Sequence, residues 1–299
     1  MSLLFSLFPE ISAISAPFSC ILLDAYGVFW GGNSFGLLPG AKEGMENLVR
    51  KGKRVGILSN STQLAFKERD KFQTHGLLEG KHFHFLMTSG EIAKSIFSQE
   101  ALPFKTPRKT FWLFGGVHPK FASHAPLFQG SPYQETPHLE EADFIYISIP
   151  HLNGEDQTDP HLFQDALQEL YKKKLPMVCP NPDLVAHEGN PPRAVIRQGS
   201  IAAFYEKLGG TVFYIGKPYP AAYAAAMKEM CEYKSSPSEV LMVGDTPETD
   251  IRGARSFGMA SALTMRTGNM GDRVLHHGLE KAVEALLPSD IPNFFIERL

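Results

Sequence analysis

Cysteine is scarce in this chain of 299 residues, and so is any excess of one charge. The three cysteines, Cys20, Cys179 and Cys231, lie far apart, and no CxxC or Cys/His pair has the spacing of zinc ligands. This pattern argues against a disulfide framework and a structural zinc site, and it favours the reducing cytoplasm. The net charge of −3 gives no sign of a basic surface for nucleic acid or for a membrane.

Long apolar runs are missing as well. No stretch approaches the roughly 18 residues that a membrane-spanning helix needs. The apolar residues 1–20 lack a positively charged leading segment, and Pro9 and Glu10 interrupt them, which disfavours a cleaved signal. We expect this segment to be a short helix packed on the domain or an amphipathic tail. The sequence therefore predicts a cytoplasmic protein without a membrane partner.

Two nucleotide-binding signatures are also absent. No G-x-G-x-x-G opens a helix after a predicted strand, which disfavours a nicotinamide dehydrogenase, and the Gly-rich Lys-Ser/Thr loop of P-loop NTPases does not occur. No internal repeat or low-complexity tract is evident. What remains is a globular composition, with 43% hydrophobic residues, and a length that suggests about two domains.

Predicted strands alternate with predicted helices in the first and last thirds of the chain. The strands of the first third are "CILLDAY", "RVGILSN" and "FHFLMTS", and those of the last third are "TVFYIG", "EVLMVGD" and "MASALTM". Amphipathic or Ala-rich helical segments separate them, for example "LPGAKEGMENLVRKGK" and "PYPAAYAAAMKEMCEYK". This alternation predicts an α/β fold with a parallel sheet.

The middle of the chain carries α/β units of its own. Its predicted strands are "KTFWLFGG", "EADFIYISIP" and "LPMVCP", and its predicted helix is "PHLFQDALQELYKKK". We interpret residues 88–185 as a second α/β module, inserted into a discontinuous core domain made of residues 1–87 and 186–299.

Side chains that carry chemistry follow the predicted strands at four places. The segments are "LLDAYGV", "ILSNST", "GKPYP" and "GDTPETD", and the residues are Asp24, Ser59, Asn60, Lys217, Asp245 and Asp250. Ligands of open α/β sheets bind outside the carboxyl ends of the strands. We therefore expect these side chains to converge on one site.

Taken singly, each of these residues has an ordinary structural explanation. Asp24 and Asp245 are typical of turns or helix caps, the "SNST" cluster is typical of an N-cap, and Lys217 is typical of a solvated loop. Together and in this order they indicate a common site. Carboxylates suit Mg²⁺, hydroxyl and amide groups at a helix N-terminus suit phosphate oxygens, and a lysine offsets the charge.

These four ordered motifs resemble those of the haloacid dehalogenase (HAD) superfamily. The insert, which closes with "CPNPD", resembles the class IIA, C2-type cap of the NagD-like sugar- and nucleotide-phosphate phosphatases. The resemblance implies a Rossmann-like parallel-sheet core with an inserted α/β cap domain. It also implies Mg²⁺-dependent hydrolysis of a small phosphorylated metabolite, and self-association through the cap.

The resemblance assigns the metal and the nucleophile to acidic residues. Asp24 attacks phosphorus and forms an aspartyl-phosphate, which splits hydrolysis into two steps. Asp24, Asp245 and the backbone carbonyl of Tyr26 ligate Mg²⁺. Asp250 supports the water shell of the metal or orients Lys217.

The resemblance assigns the phosphate contacts to the second and third motifs. Ser59 and Asn60 bind phosphate oxygens, and Lys217 pairs with Asp24 and with the phosphoryl group.

Tyr26 departs from the family pattern. Members of the family have the motif Asp-x-Asp at this position, and the second Asp of the motif protonates the leaving group and then activates water. The phenol of Tyr26, with a reference pKa near 10, is a poor base at neutral pH, and loss of a placed acid–base group typically costs about 10²–10⁴-fold in rate. Three outcomes stay open: Tyr26 acts as a weak acid, His187 or Glu188 takes the role, or hydrolysis is slow and favours good leaving groups.

Two other functions are compatible with this departure. The first is a protein that binds Mg²⁺ and a phosphorylated metabolite without turning it over. The second is a phosphotransferase that passes the phosphoryl group to an acceptor other than water.

Overall fold

The computed structural model describes residues 5–121, 123–188, 193–230 and 236–299, apart from the side chains of residues 187 and 188. Cys231 lies outside these ranges. The described residues fall into two compact units. The first unit contains residues 5–59, Phe66–Met87 and Lys217–Leu299, and the second contains Asn60–Ala65 and Thr88–Gly216.

The strands are, in chain order, β1 (Leu7–Glu10), β2 (Cys20–Leu23), β3 (Arg54–Ser59), β4 (Phe85–Thr88), β5 (Thr110–Phe114), β6 (Gln134–Glu135), β7 (Phe144–Ile147), β8 (His151–Leu152), β9 (Glu155–Asp156), β10 (Met177–Cys179), β11 (Val185–Glu188), β12 (Arg193–Ile196), β13 (Val212–Tyr214), β14 (Val240–Gly244), β15 (Ala260–Thr264) and β16 (Phe294–Arg298).

The helices are α1 (Ala41–Arg50), α2 (Ala65–Thr74), α3 (Ser89–Ser98), α4 (Ala125–Phe128), α5 (Gln164–Lys172), α6 (Gln198–Lys207), α7 (Pro220–Met230), α8 (Arg252–Ser256), α9 (Gly268–His277) and α10 (Leu279–Glu284). Short 3₁₀ segments lie at Ile11–Ala13, Leu139–Glu141, Pro160–Phe163, Pro237–Glu239 and Pro288–Asp290, and a π-helical turn lies at Pro247–Ile251. None of the described helices has both the length and the apolar character needed to cross a membrane.

A seven-stranded sheet forms the centre of the first unit, in the order β1-β16-β15-β14-β2-β3-β4. Neighbouring strands from β1 through β3 in this order are parallel. Every residue of β2 and β14 is buried, which explains why these segments are apolar along their whole length. The predicted α/β fold with a parallel central sheet is confirmed.

The register of this sheet brings strand ends together. Leu23 at the end of β2 lies opposite Val243 of β14 and Ile57 of β3. Because parallel strands end at the same edge, Asp24, Ser59 and Asp245 follow or close three adjacent strands at one edge of the sheet.

The second unit contains a parallel five-stranded sheet of its own, in the order β13-β10-β7-β5-β6. Apolar side chains from α5 and α6 pack against this sheet, including Leu167, Ile201 and Tyr205. Two antiparallel hairpins, β8–β9 and β11–β12, complete the unit.

The second unit continues past residue 185, where we expected the inserted module to end. Met177–Cys179 pairs with Val212–Tyr214, so "TVFYIG" belongs to the second sheet and not to the core sheet. The physical reason is that α6 closes the core of this unit, and the strand that follows α6 returns to the open side of β10.

From residue 5 onward, the segment before β2 forms a strand and a 3₁₀ turn, and not the short helix or amphipathic tail that we expected. Leu7–Glu10 forms a strand that pairs with β16 in parallel, and the 3₁₀ turn Ile11–Ala13 follows it. The ring of Phe5 lies 4.5 Å from that of Phe295, so apolar contact with the sheet edge favours the extended conformation.

Candidate active site

Three buried carboxylates meet at the carboxyl edge of the first unit's sheet. Asp24, Asp245 and Asp250 are 8%, 4% and 0% exposed, and each offers an oxygen within 4.8 Å of the others. The backbone N–H of Asp24 donates to the carbonyl of Val243 at 2.9 Å, which ties the end of β2 to β14. Sequence reasoning predicted this convergence, and the structure brings the three acids together.

Lys217 is the ammonium group within this cluster. Its Nζ donates to Asp24 Oδ1 at 2.5 Å and lies 2.7 Å from Asp250 Oδ1, and the residue is 2% exposed. Among the described residues, this cluster combines one lysine with three carboxylates, so negative charge is in excess at a buried place. Burial, together with the charges of Asp24 and Asp250, raises the pKa of Asp245 well above its usual range.

Asp250 binds Lys217 and also orients the backbone of Asp245 and Thr246. Its Oδ2 accepts the backbone N–H groups of Asp245 and Thr246, both at 3.1 Å. The hydroxyl of Tyr223 donates to the carbonyl of Asp250 at 3.1 Å. The carboxylate therefore fixes the turn that carries Asp245 and holds the ammonium at the same time.

Asp245 is held by residues that sequence reasoning missed. Its Oδ1 accepts the hydroxyl of Thr246 at 3.0 Å, and its Oδ2 accepts the backbone N–H of Asn269 at 2.7 Å. The side chain of Asn269 donates in turn to Thr246 Oγ1 at 2.6 Å. The sequence does contain an indication of Asn269, because the segment "RTGN" is polar, contains glycine and follows β15 at the same edge of the sheet.

Two glycines allow the backbone to approach Asp245. Gly27 and Gly268 have φ of +80° and +65°, a region that favours glycine. A Cβ at either position would overlap the carboxylate of Asp245. The hydroxyl of Thr267 donates to the carbonyl of Gly27 at 2.5 Å and links the two segments.

The side chain of Tyr26 turns to helix α2. Its hydroxyl accepts a hydrogen bond from Lys71 Nζ at 3.0 Å, and this ammonium also lies 5.0 Å from the centre of the Tyr26 ring. Lys71 forms an ion pair with Glu68, one turn earlier on the helix. Sequence reasoning did not single out Lys71 or Glu68.

The second motif divides between the two units. Ser59 ends β3 in the first unit and is buried. Asn60 belongs to the second unit, where its amide donates to Asp183 Oδ1 at 2.8 Å. Asp183 lies in "CPNPD", so this hydrogen bond joins two of the segments that the sequence analysis singled out. The side chains of His187 and Glu188 lie outside the described part of the chain.

Two family models match this chain. The haloacid dehalogenase-like hydrolase model matches residues 21–121, and the HAD-hydrolase-like model matches residues 214–289. Among curated proteins, chronophin of Mus musculus is 27% identical over 294 residues, and chronophin of Bos taurus is 26% identical over 292 residues. Each of these alignments covers 93% of this chain and 90% of the relative.

Solved structures show the same fold. A haloacid dehalogenase-like hydrolase from Brucella suis 1330 matches with a TM-score of 0.78 and 20% identity, covering 98% of this chain and 100% of that one. A 4-nitrophenylphosphatase from Thermotoga maritima matches with a TM-score of 0.65 and 21% identity, covering 95% of each chain. A glycerol phosphate phosphatase from Mycobacterium tuberculosis, in complex with magnesium, matches with a TM-score of 0.64 and 18% identity, covering 94% of this chain and 75% of that one.

Proposed function

Because this chain belongs to the haloacid dehalogenase-like hydrolases, we propose that it is a Mg²⁺-dependent phosphatase that acts on a small phosphorylated metabolite, a sugar or nucleotide phosphate. The observation that carries the proposal is the buried cluster of Asp24, Asp245 and Asp250 around the ammonium of Lys217. Phosphoryl transfer depends mostly on positioning and on electrostatic stabilisation, which are what such a cluster supplies.

The donor set fits a hard divalent cation. Carboxylate and carbonyl oxygens are the ligands that Mg²⁺ prefers, and the raised pKa of Asp245 reflects burial and negative charge that a cation would offset. The residues that would hold it are Asp24, Asp245 and the backbone carbonyl of Tyr26. When bound, the ion neutralises charge on the phosphate oxygens.

Asp24 is the nucleophile in this proposal. Its carboxylate oxygen forms a bond to phosphorus while the bond from phosphorus to the leaving oxygen breaks, and the leaving oxygen takes the electron pair and then a proton. Water attacks phosphorus in the second step and releases the Asp24 carboxylate together with inorganic phosphate. Lys217 orients the carboxylate of Asp24 through the 2.5 Å hydrogen bond.

Ser59 and Asn60 bind phosphate oxygens in this proposal, together with Lys217. The support is the position of Ser59 at the end of β3, next to the strand that precedes Asp24. We also propose that the protein works in the cytoplasm, binds neither nucleic acid nor membranes, and self-associates through its inserted unit.

Tyr26 sets the expected rate and selectivity. A phenol at the acid–base position donates a proton reluctantly and accepts one poorly at neutral pH. We therefore expect turnover that is slow for alkyl phosphates and faster for aryl phosphates, whose leaving groups need no proton.

The test is a panel of alkyl and aryl phosphate monoesters, assayed for phosphate release with Mg²⁺ and with a chelator. We expect release that requires Mg²⁺ and that Asp24→Asn abolishes. Absence of release from every ester, activated aryl phosphates included, would contradict the phosphatase assignment.

A non-catalytic phosphometabolite-binding protein is the second candidate, and Tyr26 is the observation that favours it. Asp24→Asn separates the two functions, because a binding protein would change only its affinity for phosphate esters. A phosphotransferase is distinguished by adding alcohol acceptors, since it would form a new ester at the expense of inorganic phosphate.

A further inference from the structure

An ion pair joins helix α9 to the turn that carries acidic residues of the candidate active site. We propose that Glu248 and Arg273 are positioning residues, and that their ion pair holds α9 where its first turn orients the Asp245 carboxylate for a divalent cation. This inference rests on the proposed Mg²⁺-dependent function and extends it to two residues outside the carboxylate cluster.

The Glu248–Arg273 ion pair is made of two parallel hydrogen bonds. Nη1 of Arg273 donates to Oε1 of Glu248, and Nη2 donates to Oε2, both at 2.9 Å. A planar guanidinium that meets both oxygens of a carboxylate fixes the direction of the contact as well as its length. Glu248 lies in the π-helical turn Pro247–Ile251 and Arg273 lies in α9, so the ion pair joins two elements.

Asp245 caps the N-terminus of helix α9. Its Oδ2 accepts the backbone N–H of Asn269 at 2.7 Å, and its backbone carbonyl accepts that of Met270 at 3.0 Å. The first N–H groups of a helix have no partner within the helix, so they need acceptors from elsewhere. The orientation of the Asp245 carboxylate therefore depends on where α9 begins and on how the helix is tilted.

The ion pair lies one helical turn beyond these contacts. Asn269 and Arg273 are four residues apart, which places them on the same face of α9. Their partners follow in the same order along the chain, because the Asn269 amide donates to Thr246 Oγ1 at 2.6 Å and Arg273 pairs with Glu248. Contacts at two successive turns fix the tilt and the rotation of a helix, whereas contacts at its first turn alone leave it free to pivot.

A second ion pair fixes the turn to which α9 is attached. Nε and Nη2 of Arg252 donate to the two carboxylate oxygens of Asp290, both at 2.7 Å, and Asp290 is buried. Arg252 follows the π-helical turn directly. Glu248 thus belongs to a segment that is held at its far end, and its ion pair with Arg273 ties α9 to that segment.

The degree of exposure predicts an effect on geometry and not on folding. The side chains of Arg273 and Glu248 are 38% and 37% exposed, and ion pairs at such positions contribute little to overall stability. The buried side chain of Met270 also anchors α9 in the apolar core of the unit. Variants that lack the ion pair should therefore fold and still differ in how Asp245 is held.

The two charges separate positioning from direct electrostatic attraction. Removal of Glu248 takes a negative charge away from the neighbourhood of the cation, and removal of Arg273 takes a positive charge away. Direct attraction would therefore change the affinity for Mg²⁺ in opposite directions in the two variants. Loss of the ion pair as a positioning contact weakens Mg²⁺ binding in both.

The experiment measures Mg²⁺ binding to the full chain by isothermal titration calorimetry, and amide hydrogen exchange in the metal-free protein. The variants are Glu248→Gln, Arg273→Gln, Arg273→Lys and the double variant Glu248→Gln/Arg273→Gln. Arg69→Gln and Glu79→Gln are the matched controls. Their ion pair, at 2.7 Å, joins helix α2 to the loop that follows it, and its side chains are 40% and 42% exposed.

We expect Glu248→Gln and Arg273→Gln each to weaken Mg²⁺ binding by about 3–10-fold, less than the roughly 10–100-fold typical of groups bonded directly to a metal ligand. Arg273→Lys keeps the charge but loses the paired hydrogen bonds, so it should show most of the same loss. The double variant should bind no more weakly than the weaker single variant, since both changes remove one interaction. The controls should bind Mg²⁺ as the unmodified protein does.

Hydrogen exchange gives a readout that needs no metal. The amides of Asn269 and Met270 donate to Asp245, so their exchange reports how firmly the start of α9 is held there. A peptide that contains both amides should exchange faster in Glu248→Gln and Arg273→Gln than in the unmodified protein. The same peptide should be unchanged in the two controls.

Two results would overturn the inference while leaving the proposed function intact. One is a pair of opposite changes in Mg²⁺ affinity for Glu248→Gln and Arg273→Gln, which would assign the effect to charge alone. The other is unchanged Mg²⁺ affinity and unchanged exchange in both. A lack of Mg²⁺ binding and of Mg²⁺-dependent phosphate release in the unmodified protein would overturn the proposed function and this inference with it. Circular dichroism melting identifies the folded variants, and Arg273→Lys takes the place of Arg273→Gln if the latter does not fold.

Discussion

At the scale of single residues, the space around the carboxylate of Asp245 leaves no room for an additional side chain. Gly27 contributes no side chain where one would overlap the carboxylate, and it adopts a φ of +80°. Gly40 has nearly the same φ, +79°, but an added Cβ would meet nothing within 4 Å. A comparison of alanine substitutions at Gly27 and Gly40 therefore distinguishes the effect of steric overlap with Asp245 from the cost of backbone strain.

Gly27→Ala is expected to abolish the stabilisation that Mg²⁺ gives to the protein, because the methyl group displaces Asp245. Gly40→Ala should cost only the strain of the left-handed backbone, about 1–2 kcal/mol, and keep the full response to Mg²⁺. Thermal unfolding with and without Mg²⁺ measures both effects. An intact Mg²⁺ response in Gly27→Ala would show that Asp245 does not hold the ion.

Tyr26→Asp restores the residue of the family pattern at the acid–base position. We expect faster turnover of both kinds of ester, because an aspartate can activate the water of the second step, and the larger gain for alkyl phosphates, because these also need a proton on the leaving oxygen. Steady-state rates on paired esters measure the change. Unchanged alkyl rates in a folded variant that still binds Mg²⁺ would mean that Tyr26 does not stand at this position.

A pre-steady-state burst is expected with 4-nitrophenyl phosphate. Attack by Asp24 needs no proton from Tyr26, whereas the second step needs an activated water, and a phenol is a poor base at neutral pH. The phosphorylated enzyme should therefore accumulate, and nitrophenolate should appear in a burst that approaches one equivalent of enzyme. Stopped-flow absorbance measures this, and a linear onset at saturating substrate would place the slow step before or at phosphorylation.

At the scale of elements, a buried histidine joins a loop to the hairpin β8–β9 in the second unit. His118 Nδ1 accepts the backbone N–H of Lys120 at 3.1 Å, and its ring lies 4.8 Å from that of His151. Asp156 accepts from Arg197 at 3.0 Å and lies 3.9 Å from His118 Nε2. Burial lowers the pKa of His118, and His151, Arg197 and Lys120 lower it further, while Asp156 opposes them.

This lowered pKa predicts a loss of stability in acid. The unfolded chain takes up a proton on His118 near the ordinary pKa of 6.5, and the folded chain takes it up only at lower pH. Stability should therefore fall as the pH drops below about 6.5. Unfolding midpoints between pH 7.5 and 5.5 should depend less on pH in His118→Gln, but not in the exposed control His138→Gln. Equal pH dependence in all three proteins would contradict the assignment.

The elements also show where sequence reasoning succeeds. The strands before Asp24 and Asp245 are predictable because a strand buried on both faces must be apolar along its length. Their polar ends are then brought together by the parallel arrangement itself, whatever the side-chain packing.

Lys71 and Asn269 were beyond sequence reasoning for a different reason. Whether Lys71 reaches Tyr26 depends on how helix α2 is rotated on the sheet. Whether Asn269 reaches Asp245 depends on β15 being the neighbour of β14. The secondary-structure propensity of a segment indicates neither how a helix is rotated on its sheet nor which strands are neighbours.

At the scale of the whole molecule, the second unit has its own sheet and its own apolar core. Its core joins β7 and β10 to α5 and α6. The strand β13 covers one side of β10 and completes the sheet. These features make residues 88–216 a candidate for independent folding, although hydrogen bonds from Thr88 and Ser89 to residues 60–63 would be lost.

The isolated fragment 88–216 is expected to unfold cooperatively, since its core and strand pairings are internal. A fragment ending at residue 185 should not, because it lacks Ile201 and Tyr205 of the core and leaves β10 unpaired on one side. Near-ultraviolet circular dichroism and amide proton dispersion distinguish the two. A gradual transition for the longer fragment would show that it needs the rest of the chain.

The extent of this unit illustrates what sequence could not determine. The short apolar strand Val212–Tyr214 is recognisable, but its local pattern does not state which sheet it joins. That choice depends on pairing partners far away in the chain, which only the folded structure specifies.

The first strand has a consequence for how the protein tolerates truncation. Leu7–Glu10 covers the backbone of Phe294–Arg298, and it carries Pro9 and Glu10, residues that discourage further pairing. A shortened chain that starts after residue 10 would leave the hydrogen-bonding groups of the last strand open as a template for another molecule. We therefore expect Leu7–Glu10 to protect the protein against aggregation. A shortened chain that lacks this strand should be less soluble than the full chain.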